Sequence, residues 1–472
     1  MSDIPPDPAA PLPAPAEAPP AAARPAPVRS PMRLNRAGKL ALVGGLLLLL
    51  LVPHLMIEGV IAERESYGEQ VRDGIARAWG PEQSVLGPVL IVPTRTPVPP
   101  MAGEPLPPRW QAGDTLPPRW QTGAVAVLPG RLRADARLAP ERRRRGLFEA
   151  VIYGAEVRLE AELAVPAIVA EPGTELRWRE AFLVTGATDL RSATAEARLA
   201  LDGRDMVARD AADARCIGSD LLRWDLGLDG PPEPGRVLAL SGSLALRGTG
   251  SFNLLPLARR AELAVAAPWA TPSFTGSGLP VRSDVSETAF SANWSEGTGQ
   301  PLVRHLGSSW CQELVPATPA VGVALLEAVP TYRMVTRASK YAAMFLALTF
   351  LTYVLFELVA GVRIHLVQYG LLGLSVVLFP LLLLAFGEPL GFAAAYAVST
   401  AAVLGQASAY TAAVTRRPRL AGLFAGVLAG MFGFLYVVLS LEAYALLAGT
   451  VAIFAALSVV MAVTRRIDWS AS

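Results

Sequence analysis

The sequence predicts an α-helical integral membrane protein with six transmembrane helices and a large β-rich periplasmic domain inserted between helix 1 and helix 2. One apolar run near the start of the chain and five near its end are each about 20 residues long, which is the length that crosses a bilayer. The region between them alternates apolar and polar residues, as half-buried strands do. Charged residues make up 17% of the chain, below the roughly 25% of a soluble domain.

The chain is predicted to begin with a disordered cytoplasmic tail, residues 1–32, because Pro and Ala dominate there and few side chains can build a core. The first transmembrane helix is predicted at 33–60. Arg33, Arg36 and Lys39 precede its apolar run, and Glu58 with bulky neighbours follows where a signal peptide would carry a small-residue cleavage site. We therefore expect an uncleaved helix.

Residues 61–336 are predicted to form the periplasmic β-rich domain, entered through an amphipathic helix over 61–79. The clearest strand signal is 151–163, where every odd position is apolar and charged residues occupy most even positions. Such alternation, with Gly and Pro between the runs, predicts mostly antiparallel strands with one buried face.

Residues 337–472 are predicted to form a five-helix transmembrane bundle with a short cytoplasmic C-terminus, from apolar runs at 341–360, 367–386, 391–414, 420–441 and 444–463. Arginines occur in every second connection between these runs, and basic residues in short loops stay in the cytoplasm. Both termini are therefore expected in the cytoplasm of a multi-pass inner-membrane protein, with 61–336 in the periplasm. The basic residues 333–340 favour the reverse, but long translocated domains cross largely regardless of charge.

Polar residues in or near the predicted membrane spans are candidate functional residues, because carboxylates there are costly unless they are solvated or paired. These residues could mark a path for an ion or substrate, and those near Glu357 could form a cluster at the cytoplasmic edge. Alternatively, they could simply end helices at the interface. The candidates are Glu357, His365, Gln368, Tyr369, Glu388 and Glu442.

Two further patterns concern packing and cross-linking. Gly422, Gly426 and Gly430 share one helix face and predict close packing against another helix, either of the same chain or of a second copy. Cys216 and Cys311 are the only cysteines, and they form a candidate disulfide if the domain lies in an oxidising periplasm.

Several function classes receive no support from the sequence. It has no His-Glu-x-x-His helix, no Gly-x-Ser-x-Gly elbow and no phosphate-binding Gly-rich loop. Its three histidines are far apart, so we expect no metal and no cofactor, and a net charge of +2 does not favour nucleic acid. The protein is predicted not to be an enzyme, although a periplasmic hydrolase of a new type stays open.

Several short motifs together resemble the CreD family, inner-membrane proteins of cell-envelope integrity. They are Trp79-Gly80 with Gln83 and Gly87-Pro88, Arg145 to Glu149 (RGLFE), Trp269 with Pro272-Ser273-Phe274, Arg337 to Tyr341 (RASKY), Arg363-Ile364-His365 with Val367-Gln368-Tyr369, Leu441-Glu442 with Tyr444 to Leu447, and Arg465 to Trp469 (RRIDW). Leu366, Pro389 and Ala443 depart from the family pattern. Ala443, which stands where the family usually has an Asp after Glu442, weakens any role for paired acids at the outer helix ends.

The resemblance implies a bacterial inner-membrane stress-response protein of the CreBC regulon, with no established reaction or transported substrate. We therefore expect a non-enzymatic protein that maintains envelope integrity through a periplasmic sensing or binding domain on a membrane bundle. The alternative is a transporter or lipid-handling protein that uses polar residues of the bundle. Expected partners are the lipid bilayer and periplasmic or envelope proteins or lipids, and a homo-oligomer stays open.

Overall fold

The computed structural model describes residues 36–98, 119–210, 220–233, 235–297, 299, 301–314, 320–325, 331–360, 364–441 and 444–465. The predicted tail (1–32), Cys216 and Glu442 lie outside these residues. Helices occupy the two ends of the described chain and strands occupy its middle.

Eight α-helices are present in the described chain: α1 Arg36–Trp79, α2 Trp310–Leu314, α3 Thr331–Ala360, α4 Leu366–Val377, α5 Phe379–Leu390, α6 Phe392–Thr415, α7 Pro418–Ser440 and α8 Ala445–Thr464. Five segments are long and apolar enough to cross a membrane: α1, α3, α4 with α5, α6 and α7. The described apolar part of α8, Leu447–Ala462, is shorter. Several membrane-spanning helices are thus present, while the number six stays a prediction.

The first helix is one continuous element of 44 residues. It joins the predicted transmembrane helix and the amphipathic helix expected after it, and Pro53 lies inside it. Prolines are tolerated within membrane helices because neighbouring groups satisfy the freed backbone. At 1.5 Å per residue α1 is about 66 Å long, roughly twice the hydrocarbon thickness, so it extends from the bundle to the β domain without a joint.

Local backbone chemistry separates the helices of the bundle. Gly391, at φ 76°, ends α5 in a conformation that disfavours other residues. Arg416 ends α6 in the left-handed region, and Pro418 then occupies the first turn of α7, where its missing N–H costs nothing. The buried side chains of α7 repeat every three or four residues, as in Phe424 and Leu428, so one face of that helix packs into the bundle.

The middle of the chain forms two sheets. The strands are β1 Gln83–Val98, β2 Arg119–Val127, β3 Arg131–Arg145, β4 Phe148–Ala164, β5 Glu175–Leu176, β6 Phe182–Ala187, β7 Arg198–Leu201, β8 Arg204–Met206, β9 Arg209–Asp210, β10 Asp220–Asp225, β11 Val237–Thr249, β12 Ser251–Leu255, β13 Arg260–Ala267, β14 Pro272–Gly276, β15 Arg282–Val285, β16 Phe290–Gly297, β17 Val303–Leu306 and β18 Val321–Leu325.

One sheet has the order β14-β18-β12-β1-β6-β10-β9, with β2 and β5 also paired to β1 and with β17 paired to β2. The other has the order β15-β16-β13-β3-β4-β11-β7-β8. Pairing is antiparallel except between β1 and β12 and between β3 and β13. The β-rich domain is therefore present, and its strands are mostly antiparallel.

The two sheets pack face to face as a β-sandwich. In β4 the odd positions from Ala155 to Leu163 are buried and the even ones are exposed. The first three of these buried side chains share a core with residues of the other sheet such as Phe252 and Val323. The opposite face of that other sheet carries a second apolar cluster with Cys311 and Leu314 of α2. The sandwich thus buries both faces of one sheet and one face of the other.

Candidate functional site

Polar and aromatic residues gather at two places where α1 and α3 lie side by side. We call the first the Lys39 cluster, formed by Lys39, Glu357 and Tyr369. We call the second the hairpin junction, formed by Tyr67, Phe148, Tyr332 and Glu388. The same two helices reach both places.

The Lys39 cluster joins three helices. The Lys39 ammonium group of α1 forms an ion pair with Glu357 Oε1 of α3, and it also donates a hydrogen bond of 2.7 Å to the carbonyl oxygen of Ile364. The Tyr369 hydroxyl of α4 donates to Glu357 Oε2 at 3.2 Å. With the Lys39 and Glu357 side chains only 32% and 21% exposed, each charge depends on the other for compensation.

The sequence indicates Glu357 and Tyr369 as candidate residues, whereas Lys39 in it indicates only the orientation of the first helix. The feature of the sequence that points to Lys39 is a single lysine among arginines at the predicted cytoplasmic end of an apolar helix. An acid near the same end of another apolar helix is its natural partner. His365 and Gln368 bond to the start of α4. His365 N–H donates to Gln368 Oε1 at 2.9 Å and His365 Nδ1 accepts from Val367 N–H at 3.3 Å, so both residues cap the start of α4.

Aromatic contacts extend the Lys39 cluster into the bundle. The Tyr369 ring meets Tyr353 and Phe350 edge-on at 5.6 and 5.7 Å between centroids. Tyr353 in turn is hydrogen-bonded to Thr411 of α6 and lies 4.7 Å from the Phe424 ring of α7. Edge-to-face contacts of this kind add to the stability supplied by apolar burial. A displacement of α1 or α3 would therefore disturb α4, α6 and α7 as well.

The hairpin junction joins the β domain to the bundle. Phe148, at the turn between β3 and β4, meets Tyr67 of α1 edge-on at 5.4 Å and stacks on Tyr332 of α3 at 6.3 Å. The Tyr332 hydroxyl donates to Glu388 Oε1 of α5 at 2.9 Å. Gly68 permits this approach, since a Cβ there would lie 3.0 Å from the Phe148 ring.

A second contact fixes the end of α1 to the β-sandwich. Trp79 Nε1 donates to the carbonyl oxygen of Tyr153 at 3.3 Å, and the Arg247 guanidinium lies 4.6 Å over the Trp79 ring. The Tyr153 hydroxyl donates to the carbonyl oxygen of Ser251 at 2.6 Å. Burial raises the pKa of Tyr153, so this tyrosine stays a neutral donor. The α1 terminus and the sheet therefore form one unit.

The remaining predicted residues have mixed outcomes. Gly422, Gly426 and Gly430 are exposed, and an added Cβ would meet nothing within 4 Å at any of them. In the described part of this one chain that face contacts no other helix, which leaves a second copy or lipid opposite it. Cys311 is buried and disulfide-bonded, and its predicted partner, Cys216, lies outside the described residues.

An open cleft of about 390 Å³ lies at the end of β3 opposite the hairpin turn. Its lining residues are Gly130, Arg131, Glu162, Arg259, Arg260 and Gly297. Three guanidinium groups against one carboxylate suit an anionic group better than a cation.

Comparisons with known proteins identify relatives of this chain. Residues 36–470 match the family described as Inner membrane protein CreD. The chain is 29% identical over 442 residues to the inner membrane protein CreD of Escherichia coli strain K12, covering 92% of this chain and 93% of that protein.

Solved structures show only weak likeness. An M1 zinc metallopeptidase from Deinococcus radiodurans is 12% identical, with 46% of this chain and 54% of that chain covered and a TM-score of 0.22. A two-domain M1 zinc metallopeptidase has 13% identity, coverage of 46% and 55%, and a TM-score of 0.21. Likeness at this level supports no conclusion about fold or activity.

Proposed function

Because the chain belongs to the CreD family of inner membrane proteins, we propose that it maintains the integrity of the cell envelope as a non-enzymatic protein. Residues 61–336 lie in the periplasm and bind or sense a component of the envelope. The helical bundle holds this domain at the membrane and responds to changes in its conformation. Both termini lie in the cytoplasm. Basic residues in the connections 363 and 416–419 support this orientation.

The observation that carries the proposal is the hairpin junction. A β domain that only needed an anchor could hang from a flexible linker, whereas here Phe148 is 9% exposed and contacts both α1 and α3. These two helices continue to the Lys39 cluster. A change in the β domain that moves the β3–β4 turn would therefore shift α1 against α3 and alter the pairing of Lys39 with Glu357.

The first experiment compares variants in cells that lack the chromosomal copy, with envelope protection measured as survival and dye exclusion under cell-wall stress. Phe148→Ala removes the ring that joins the β domain to α1 and α3, so we expect loss of protection while the protein still accumulates in the membrane.

The matched control is Phe274→Ala, which also removes an aromatic ring of the β domain. The Phe274 ring contacts Phe290 and Trp294 instead of the helices. It should retain protection. Full protection by Phe148→Ala would contradict the proposal.

A second candidate function is transport or lipid handling, favoured by the Glu357 carboxylate within the span Thr331–Glu357 and still 21% exposed. The exchange Lys39→Glu/Glu357→Lys separates the two functions, because it keeps an ion pair between α1 and α3 but removes the carboxylate from α3. If protection survives, the pair serves structure or relay. Loss of protection with normal abundance would favour a carrier role for Glu357.

A further inference from the structure

A run of four arginines, residues 142–145, ends β3 at the hairpin turn. The first three side chains are 55 to 76% exposed, and the fourth is exposed as well. Their recorded carboxylate partners are Glu141 and Glu149, at 3.1 to 3.8 Å. Two carboxylates against four guanidinium groups leave an excess of positive charge in contact with solvent.

The turn places an apolar side chain beside this charge. Arg145 pairs with Phe148 across a two-residue turn, and Gly146 at φ 65° supplies the positive φ that the first central position of a type II′ turn requires. Leu147 stands at the tip and is 59% exposed. Exposed arginines next to an exposed leucine are typical of segments that lie at a membrane surface.

The position of the turn along the helix axes agrees with a place at the membrane surface. Phe148 stacks on Tyr332, whose hydroxyl donates to Glu388. Glu388 follows the apolar run 367–386 by two residues, which is about 3 Å of helix. The headgroup layer on each side of the hydrocarbon core is about 5–8 Å thick, so the turn lies at the level of the lipid headgroups.

Two tryptophans occupy the first two arginines of the run. The guanidinium of Arg142 lies 5.4 Å over the Trp269 ring, and that of Arg143 lies 5.6 Å over the Trp79 ring. Such cation–π contacts hold a guanidinium group in place. Arg142 and Arg143 are therefore fixed against the β domain, and Arg144 and Arg145 are the arginines nearest the turn.

We propose that the hairpin tip, residues 144–147, binds anionic phospholipid headgroups on the periplasmic surface of the membrane that the helices span. The excess of guanidinium groups recognises the lipid phosphate, and Leu147 enters the boundary between headgroups and acyl chains. This inference rests on the proposed orientation of the β domain. It adds a lipid contact that fixes the distance between the sandwich and the bilayer.

The test uses the full-length protein in nanodiscs of phosphatidylcholine alone or with phosphatidylglycerol, and native mass spectrometry counts the retained phosphatidylglycerol. A basic residue at an anionic surface contributes about fivefold in affinity. Arg144→Gln/Arg145→Gln should therefore lower phosphatidylglycerol retention by about fivefold or more. The control Arg133→Gln/Arg137→Gln changes two exposed arginines earlier on the same strand and should retain the lipid preference of the wild type.

A second readout follows the tip directly. An environment-sensitive dye on Leu147→Cys should shift its emission to the blue when phosphatidylglycerol is present, and the shift should vanish with Arg144→Gln/Arg145→Gln. Equal retention in both arginine variants, or an unchanged dye, overturns the lipid site. The orientation is checked separately by labelling Leu147→Cys in intact cells: labelling from the periplasm without lipid preference refutes only this site, whereas labelling only from the cytoplasmic side refutes the proposed topology too.

Discussion

Lys39 is one of two lysines in the chain, and its ion pair with Glu357 is the main electrostatic contact described within the helical region. A charge at this depth is costly when unpaired, so the pair contributes chiefly by avoiding an isolated charge. The hydroxyl of Tyr369 and the carbonyl oxygen of Ile364 supply further hydrogen bonds. The cluster therefore ties α1 to α3 and α4 only while both charges are present.

A double-mutant cycle tests this dependence. Glu357→Gln and Lys39→Met should each lower the free energy of unfolding in detergent by about 1–3 kcal/mol, since each leaves one charge without its partner. The combination Lys39→Met/Glu357→Gln should cost less than the sum by about 1–2 kcal/mol. The measurement is a denaturant titration of the purified protein.

The other lysine, Lys340, provides the control because it is exposed on α3. Lys340→Met should change stability by less than about 0.5 kcal/mol. Strict additivity of the two cluster substitutions would show that Lys39 and Glu357 do not interact in solution.

At the scale of elements, α1 depends on its glycines in different ways. Gly59 is exposed, and a Cβ there would meet nothing within 4 Å, whereas Gly68 is buried against the Phe148 ring. The same substitution at the two positions therefore separates helix propensity from packing at the hairpin junction.

We predict that Gly59→Leu stabilises α1 by up to about 1 kcal/mol, because leucine favours the helix over glycine. Gly68→Leu should instead destabilise the protein by about 1–3 kcal/mol, because the added side chain forces Phe148 away from α1. Thermal unfolding in detergent measures both. Equal changes in stability at the two sites would mean that the β3–β4 turn does not pack against α1 at Gly68.

Part of this architecture could be predicted from the sequence, because burial leaves a periodic pattern. The alternation at 155–163 gave the buried face of β4, and apolar runs located most helices. Contacts between distant segments leave no such pattern. Lys39 and Glu357 are 318 positions apart in the chain, so spacing could not pair them.

Local chemistry explains other differences. The change from apolar to amphipathic sequence near residue 60 favours two segments, yet α1 runs through that point, and through Pro53, as one helix. His365 and Gln368 lie near Glu357 in the sequence, but the backbone N–H groups at the start of α4 need acceptors, and these two side chains supply them. A capping role of this kind competes with any functional role.

For the molecule as a whole, the proposed orientation predicts which sites react from which side of the membrane. Val281→Cys, at a site 74% exposed on the β domain, should react with an impermeant maleimide in cells whose outer membrane has been opened. Arg419→Cys, exposed near the start of α7, should react only in inverted vesicles. Labelling of the two sites from the opposite sides would reverse the topology.

We expect the β domain and the far end of the bundle to respond together through α1 and α3. Hydrogen exchange of the full-length protein tests this coupling by comparing the wild type with Phe148→Ala, and Phe274→Ala is the control for a general loss of β-domain stability. Phe148→Ala should exchange faster at the hairpin junction and also around the Lys39 cluster, in residues 39–46 and 353–357, whereas Phe274→Ala should show no such change there. Faster exchange confined to the junction and the β domain would mean that the two parts are not coupled and that the bundle is an anchor alone.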